Sequence, residues 1–142
     1  GWAVNNDGAR KDAFQHPSAE QQAKVICKAL GHADVAAGTV GLVEAHGTGT
    51  RLGDQIEASA LISAFRRSGG LGNGFCALGS VKSNIGHTGV AAGIMGFAKA
   101  CLSIHHAEIP PTLHVNQATA SVDFTTSPFY LATGLQTWSV EE

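Results

Sequence analysis

The chain has 142 residues, of which 44% are hydrophobic and 14% charged, with a formal net charge of −2. That balance fits one globular domain with a core of its own and argues against a disordered tail. With a pI near 6.4 and no basic patch, nucleic acid is not expected as a partner. The longest apolar run, Val90 to Ala98, stops at Lys99, well short of the roughly 20 residues a membrane span needs.

Gly1 to Val4 reads as the end of a strand, and Asn5-Asn6-Asp7-Gly8 as a turn. The first residues lack the charged, apolar and small-residue order of a signal peptide. With no initiating methionine, and with Ser139-Val140-Glu141-Glu142 closing the chain, both ends read as cut from something longer. Pro17-Ser18 opens a helix: Ser18 and Gln21 have the spacing of a capping box, Ile26, Ala29 and Leu30 recur on one side, and Gly31 is the expected stop. Thr39 to Ala45, with Val40, Leu42 and Val43, has the length of a buried strand. It runs into His46-Gly47-Thr48-Gly49-Thr50, and a second helix is predicted from about Asp54 to Phe65, with Asp54 and Glu57 capping its start.

After a glycine-rich loop over Arg66 to Gly74, Phe75 to Val81 forms a second apolar strand ending in Lys82-Ser83-Asn84-Ile85-Gly86-His87. A third helix, about Thr88 to Ala107, is apolar almost all round and is therefore expected to be buried, with Gly89, Gly93 and Gly96 allowing close packing. Pro110-Pro111 breaks it, Thr112 to Val115 should be extended, and Phe129 to Leu131 makes a last short strand. The alternation of strand and helix predicts an α/β layered domain with parallel strand pairing. The three cysteines, Cys27, Cys76 and Cys101, show no C-x-x-C spacing; they read as reduced thiols of a cytoplasmic protein, with Cys76 and Cys101 in the core.

In parallel sheets, ligands gather at the carboxyl ends of the strands. Both such ends here carry a histidine beside glycine, so the topology is expected to bring His46 and His87 to one sheet edge. An imidazole there can donate an N–H to an oxyanion developing on a thioester carbonyl. Thr48 and Thr50 offer hydroxyls to a polar ligand arm. Lys82 is a cation near the same edge that, if buried, needs acidic partners, and Asp54 and Glu57 are the candidates. A single histidine in a glycine loop is more often a structural hydrogen-bonder, but two in equivalent positions weigh against that. His46 to Gly53 lacks the G-x-x-x-x-G-K-[ST] spacing of a phosphate loop. His16, His32 and His114 have no metal-ligand spacing, so no metal is expected. His105-His106 is expected at a helix end, facing solvent or complementing the helix dipole.

Val43 to Asp54, followed by Gly79 to His87 and by Ile109-Pro110-Pro111-Thr112-Leu113-His114, resembles the β-ketoacyl synthase domain of modular type I polyketide synthases. The resemblance covers essentially the whole chain. It implies a thiolase-like layered α-β-α-β-α fold, incomplete here, in which residues 1–142 form the C-terminal part of a ketosynthase domain. The nucleophilic cysteine, carried by an upstream half, and the extreme C-terminal strands would lie outside this chain. It further implies a usually dimeric acyltransferase that condenses an enzyme-bound acyl thioester with a malonyl-type unit, with loss of carbon dioxide. No cofactor is bound directly, since the extender rides on the phosphopantetheine of acyl carrier protein. By this resemblance His46 and His87 bind the extender's thioester carbonyl, Lys82 is the active-site lysine held by Asp54 and Glu57, and Thr48 and Thr50 contact the phosphopantetheine. Gln55 departs from the family's usual proline. The alternative from another class is a non-condensing binding or scaffold module, such as one half of a split synthase that docks acyl carrier protein. Either way the partners implied are acyl carrier protein and the remainder of the domain.

Overall fold

In a computed structural model, residues 1–9, 16–115 and 122–139 are described. Three strands, β1 (Leu42–Glu44), β2 (Cys76–Gly79) and β4 (Phe129–Leu131), form a parallel sheet in the order β1-β2-β4. Val43 lies opposite Leu78, and Cys76 opposite Phe129. Two residues each from β3 (Glu108–Ile109) and β5 (Gln136–Thr137) pair antiparallel in a second, smaller sheet.

Alternation along the strands gives the main sheet two different faces. Val43, Cys76, Leu78 and Phe129 point to one side, where they pack with Leu61 and Phe65 of α2 (Arg51–Arg67). The rings of Phe65 and Phe129 meet edge-on with centroids 4.6 Å apart, a favoured aromatic geometry. Helix α1 (Ala19–Ala33) lies against α2 through Ala23, Ala60 and Ala64, small side chains that let the two backbones come close. Leu42 and Ala77 face the other side, with Ile109, Tyr130, Ala132 and Trp138.

That second side also meets α4 (Ala92–His106), and here the expectation of a buried helix is corrected. Only Ala92, Gly96, Lys99 and Ser103 are buried. Ile94, Phe97 and Ile104 are 62%, 65% and 68% exposed, and Val90 and Leu102 are exposed too. The helix turns its small residues to the sheet, because they let it approach closely, and leaves its bulky apolar residues outermost. Gly96 fits that account, since a Cβ there would stand 3.0 Å from the Glu44 Cγ, whereas Gly93 and Gly89 face open space. Cys101 is likewise exposed and not in the core. No helix among the described residues is long and apolar enough to cross a membrane.

Other boundaries shift for local reasons. Ser18 does cap α1, its hydroxyl accepting the Gln21 N–H, while its own N–H goes to Asp7. The helix passes Gly31 and ends at Asp34, in left-handed conformation (φ 53°), whose N–H reaches Gly31 O while that of Val35 reaches Leu30 O; aspartate tolerates this region better than most residues. Helix α2 begins three residues before Asp54. The region from Thr88 starts with a 3-10 turn (Gly89–Ala91), since Gly89 has φ +60°, outside the α-helical range. Gly1 to Val4 forms no strand. It lies along α1, where Trp2 O meets the His32 ring and the Asn5 amide donates to Gln21 O. Thr112 to Val115 is a turn about a left-handed His114 (φ 61°) and not an extended segment.

Candidate active site

Because β1 and β2 are parallel neighbours, the loops that leave them emerge side by side. The first carries His46, and the second passes through the short helix α3 (Lys82–Ile85) to His87. The two imidazoles stand with centroids 5.5 Å apart and planes at 86°. His46 and His87 are both exposed, so the face they share is open.

The His46 loop is held through its main chain. Glu57, in the second turn of α2, accepts the His46 N–H at 2.7 Å with one carboxylate oxygen and the Gly47 N–H at 2.8 Å with the other. Asp54, one turn earlier, accepts the Gly49 N–H at 3.1 Å. Charge-assisted bonds of this kind are among the stronger hydrogen bonds. They fix the loop and leave the imidazole unencumbered. Gly47 is required twice over, by its φ of +48° and by the Ser80 Cβ that would lie 2.9 Å from an added side chain. Burial pushes the Asp54 carboxyl above its ordinary range; the Gly49 N–H opposes this, and the neighbouring Glu57 charge adds to it.

The His87 ring is itself the anchor. Its Nδ1 accepts the Gly89 N–H at 3.0 Å. A ring nitrogen that accepts carries no proton, so the neutral imidazole holds its proton on Nε2 and has that N–H to give.

The structure corrects the expected partnership of Lys82. Among the described residues no ion pair joins it to Asp54 or Glu57, whose carboxylates accept amides of the His46 loop. Lys82, Asp54, Glu57 and Thr48 instead line one cleft of about 640 Å³ beneath that loop. Thr48 and Thr50 stand with hydroxyls 3.3 Å apart, both exposed, and Thr50 caps α2 by position without a side-chain bond. The buried lysine–carboxylate pair in this region is Lys99 with Glu44, at 2.7 Å. Neither was expected from the sequence. The signal was available, since Lys99 interrupts an otherwise apolar helix and a buried lysine needs an acid.

The cysteines divide by environment. Cys76 is fully buried and its thiol is pushed up to about 12 by burial, which leaves almost no thiolate at neutral pH. Cys27 is half-buried and directs its thiol to Ala64 O. His105 and His106 are exposed at the end of α4 and stack edge-on with each other.

Residues 1–116 match the family model described as beta-ketoacyl synthase, C-terminal domain. Over all 142 residues the chain is 46% identical to a phenolphthiocerol/phthiocerol polyketide synthase of Mycobacterium tuberculosis, covering 9% of that protein. The ketosynthase from module 1 of the bacillaene synthase from Bacillus amyloliquefaciens superposes with a TM-score of 0.94 at 41% identity. That match takes in 99% of this chain and 27% of the other. Ketosynthase twelve of a bacillaene synthase from the same species gives 0.93 and 41%, over 97% and 24%. The chain thus spans less than a tenth of the curated relative's length and about a quarter of the solved ketosynthases.

Proposed function

Starting from the fact that this chain belongs to the β-ketoacyl synthase family, as its C-terminal domain in polyketide synthases with a thiolase-like fold, we propose that it supplies the two histidines of decarboxylative condensation. The observation that carries the reading is the pair of imidazoles 5.5 Å apart at the carboxyl edge of a parallel sheet, one of them with its proton placed on Nε2 by a backbone N–H.

In this reading the two imidazoles direct N–H groups at the carbonyl oxygen of a malonyl-type thioester. The bond between the α-carbon and the carboxylate breaks, carbon dioxide leaves, and the electron pair passes into the enolate that the N–H groups stabilise. The α-carbon then attacks the acyl thioester on a cysteine of the same domain, a carbon–carbon bond forms, and the cysteine thiolate departs. Thr48 and Thr50 lie on the same loop as His46, where a phosphopantetheine arm from acyl carrier protein would arrive. Lys82 shares the cleft beneath that loop and supplies positive charge there.

None of the three cysteines in this chain suits the nucleophile's part, and residues 1–142 alone are expected not to condense. The exposed apolar face of α4 supports a further part of this reading: the remainder of the ketosynthase packs there, in a dimeric cytoplasmic enzyme. An isolated fragment should therefore be marginally stable and prone to associate; a cooperative, high-melting monomer would contradict this. The function is tested in the complete domain carrying this segment. His46→Ala and His87→Ala should each stop release of carbon dioxide from malonyl-acyl carrier protein while acyl loading of the cysteine continues. Normal condensation in either variant would refute the assignment.

A further inference from the structure

Glu44 and Lys99 take no part in the chemistry just described, yet their side chains are only 10% and 9% exposed and meet at 2.7 Å. Glu44 ends β1 and stands two residues before His46. Its second carboxylate oxygen accepts the Val81 N–H at 2.5 Å, and Val81 leads into α3 and so to His87. Lys99 lies on α4, the helix that follows His87. One carboxylate therefore touches the chain before His87 and the chain after it, while its own backbone carries His46. The slot for this pair is cut by two glycines: a Cβ at Gly96 would stand 3.0 Å from Glu44 Cγ, and one at Gly79 would stand 3.1 Å from Lys99 Nζ.

A buried ion pair adds little net stability, because desolvation of the two charges offsets most of their attraction. What it does supply is a directed contact that apolar packing lacks. We propose that the Glu44–Lys99 pair is a positioning device that sets the separation of His46 and His87, an inference that rests on reading those histidines as the carbonyl-binding pair. Misplacement of a catalytic group by about 1 Å costs on the order of 100-fold in rate, so a loosened pair registers in catalysis before it registers in folding.

The test uses the complete ketosynthase domain and measures carbon dioxide release from malonyl-acyl carrier protein, acyl loading of the cysteine, and thermal unfolding. Lys99→Met should lower kcat for carbon dioxide release about 10- to 100-fold, with KM for the carrier and the loading rate unchanged, and Lys99→Arg should restore most of the loss. The double variant Glu44→Gln/Lys99→Met leaves no charge unpaired and keeps an amide oxygen for Val81, so it decides the matter should Lys99→Met fail to fold. It should fold and show the same kcat deficit. Carbon dioxide release within about twofold of wild type in a folded double variant would overturn the proposal, as would loading and release falling together. His46→Ala run alongside separates the two ideas: if it releases carbon dioxide normally the carbonyl-binding reading itself fails, whereas its loss beside an active double variant sinks only the positioning role.

Discussion

The two histidines reach the same place by opposite means. His46 is placed by its backbone, in a loop that two α2 carboxylates grip at three amides, and its ring makes no hydrogen bond among the described residues. His87 uses its ring instead, which accepts one local bond from the Gly89 N–H. The first arrangement uses charge to hold a loop and leaves the imidazole available; the second fixes a tautomer, while the chain before it is held by the main-chain bonds of α3 and by Glu44 at Val81. Damage to the scaffold around His46 should therefore appear as lost stability, and damage around His87 as altered ring chemistry.

Gly47→Ala should have the largest effect on the His46 side. It combines a left-handed backbone with a collision against Ser80, for a loss of about 3 kcal/mol in urea unfolding of the complete domain. A loss under about 1 kcal/mol would mean that the loop is not tightly seated. Glu57→Gln comes next, since an amide keeps one acceptor oxygen and turns an NH2 toward the other backbone donor. About 2 kcal/mol is expected from the lost charge-assisted bond, read in the same unfolding experiment. On the His87 side, Gly89→Ala faces open space and meets only the backbone penalty, about 1–2 kcal/mol. If it proves more damaging to stability than Gly47→Ala, the contrast between the loops is wrong.

Asp54→Asn should have the smallest effect, and it depends on pH. The folded-state carboxyl is raised above 3.8 by burial, opposed by Gly49 and reinforced by Glu57, so the folded protein holds this proton more tightly than the unfolded chain. The associated stability is present at low pH and is lost as pH rises through the folded value. At neutral pH the ionised group is a liability that asparagine removes while keeping an acceptor for the Gly49 N–H. The variant should melt slightly above wild type at neutral pH, and that advantage should disappear as the pH falls into the ordinary carboxylate range. An advantage that grows on acidification would contradict the assigned cause.

Much of the scaffold was legible in the sequence because its signals are local. Apolar runs of strand length ending in glycine and histidine located β1, β2 and both loops, and parallel pairing followed from the intervening helix. Which face of α4 is buried was not legible, because its apolar residues occur all round and only tertiary packing selects a side. The stripe Ala92, Gly96, Lys99, Ser103 has helical spacing and was the usable clue. A buried lysine needs an acid, and the lysine this concerns is Lys99, marked by its interruption of an apolar helix, not Lys82. Strands of two residues, such as β3 and β5, carry too little pattern to be read at all. The left-handed His114 that turns the chain after Pro111 has no sequence mark comparable to a glycine.

The central claim is that His46 and His87 act together on one carbonyl oxygen, and a double-mutant cycle tests it most directly. Carbon dioxide release from malonyl-acyl carrier protein is measured in the complete domain for His46→Ala, His87→Ala and the pair. If both imidazoles serve one enolate, each single variant loses on the order of 100-fold or more, and the double variant loses little beyond the worse single. Losses that simply multiply, or a single variant that decarboxylates at the wild-type rate, would contradict the account.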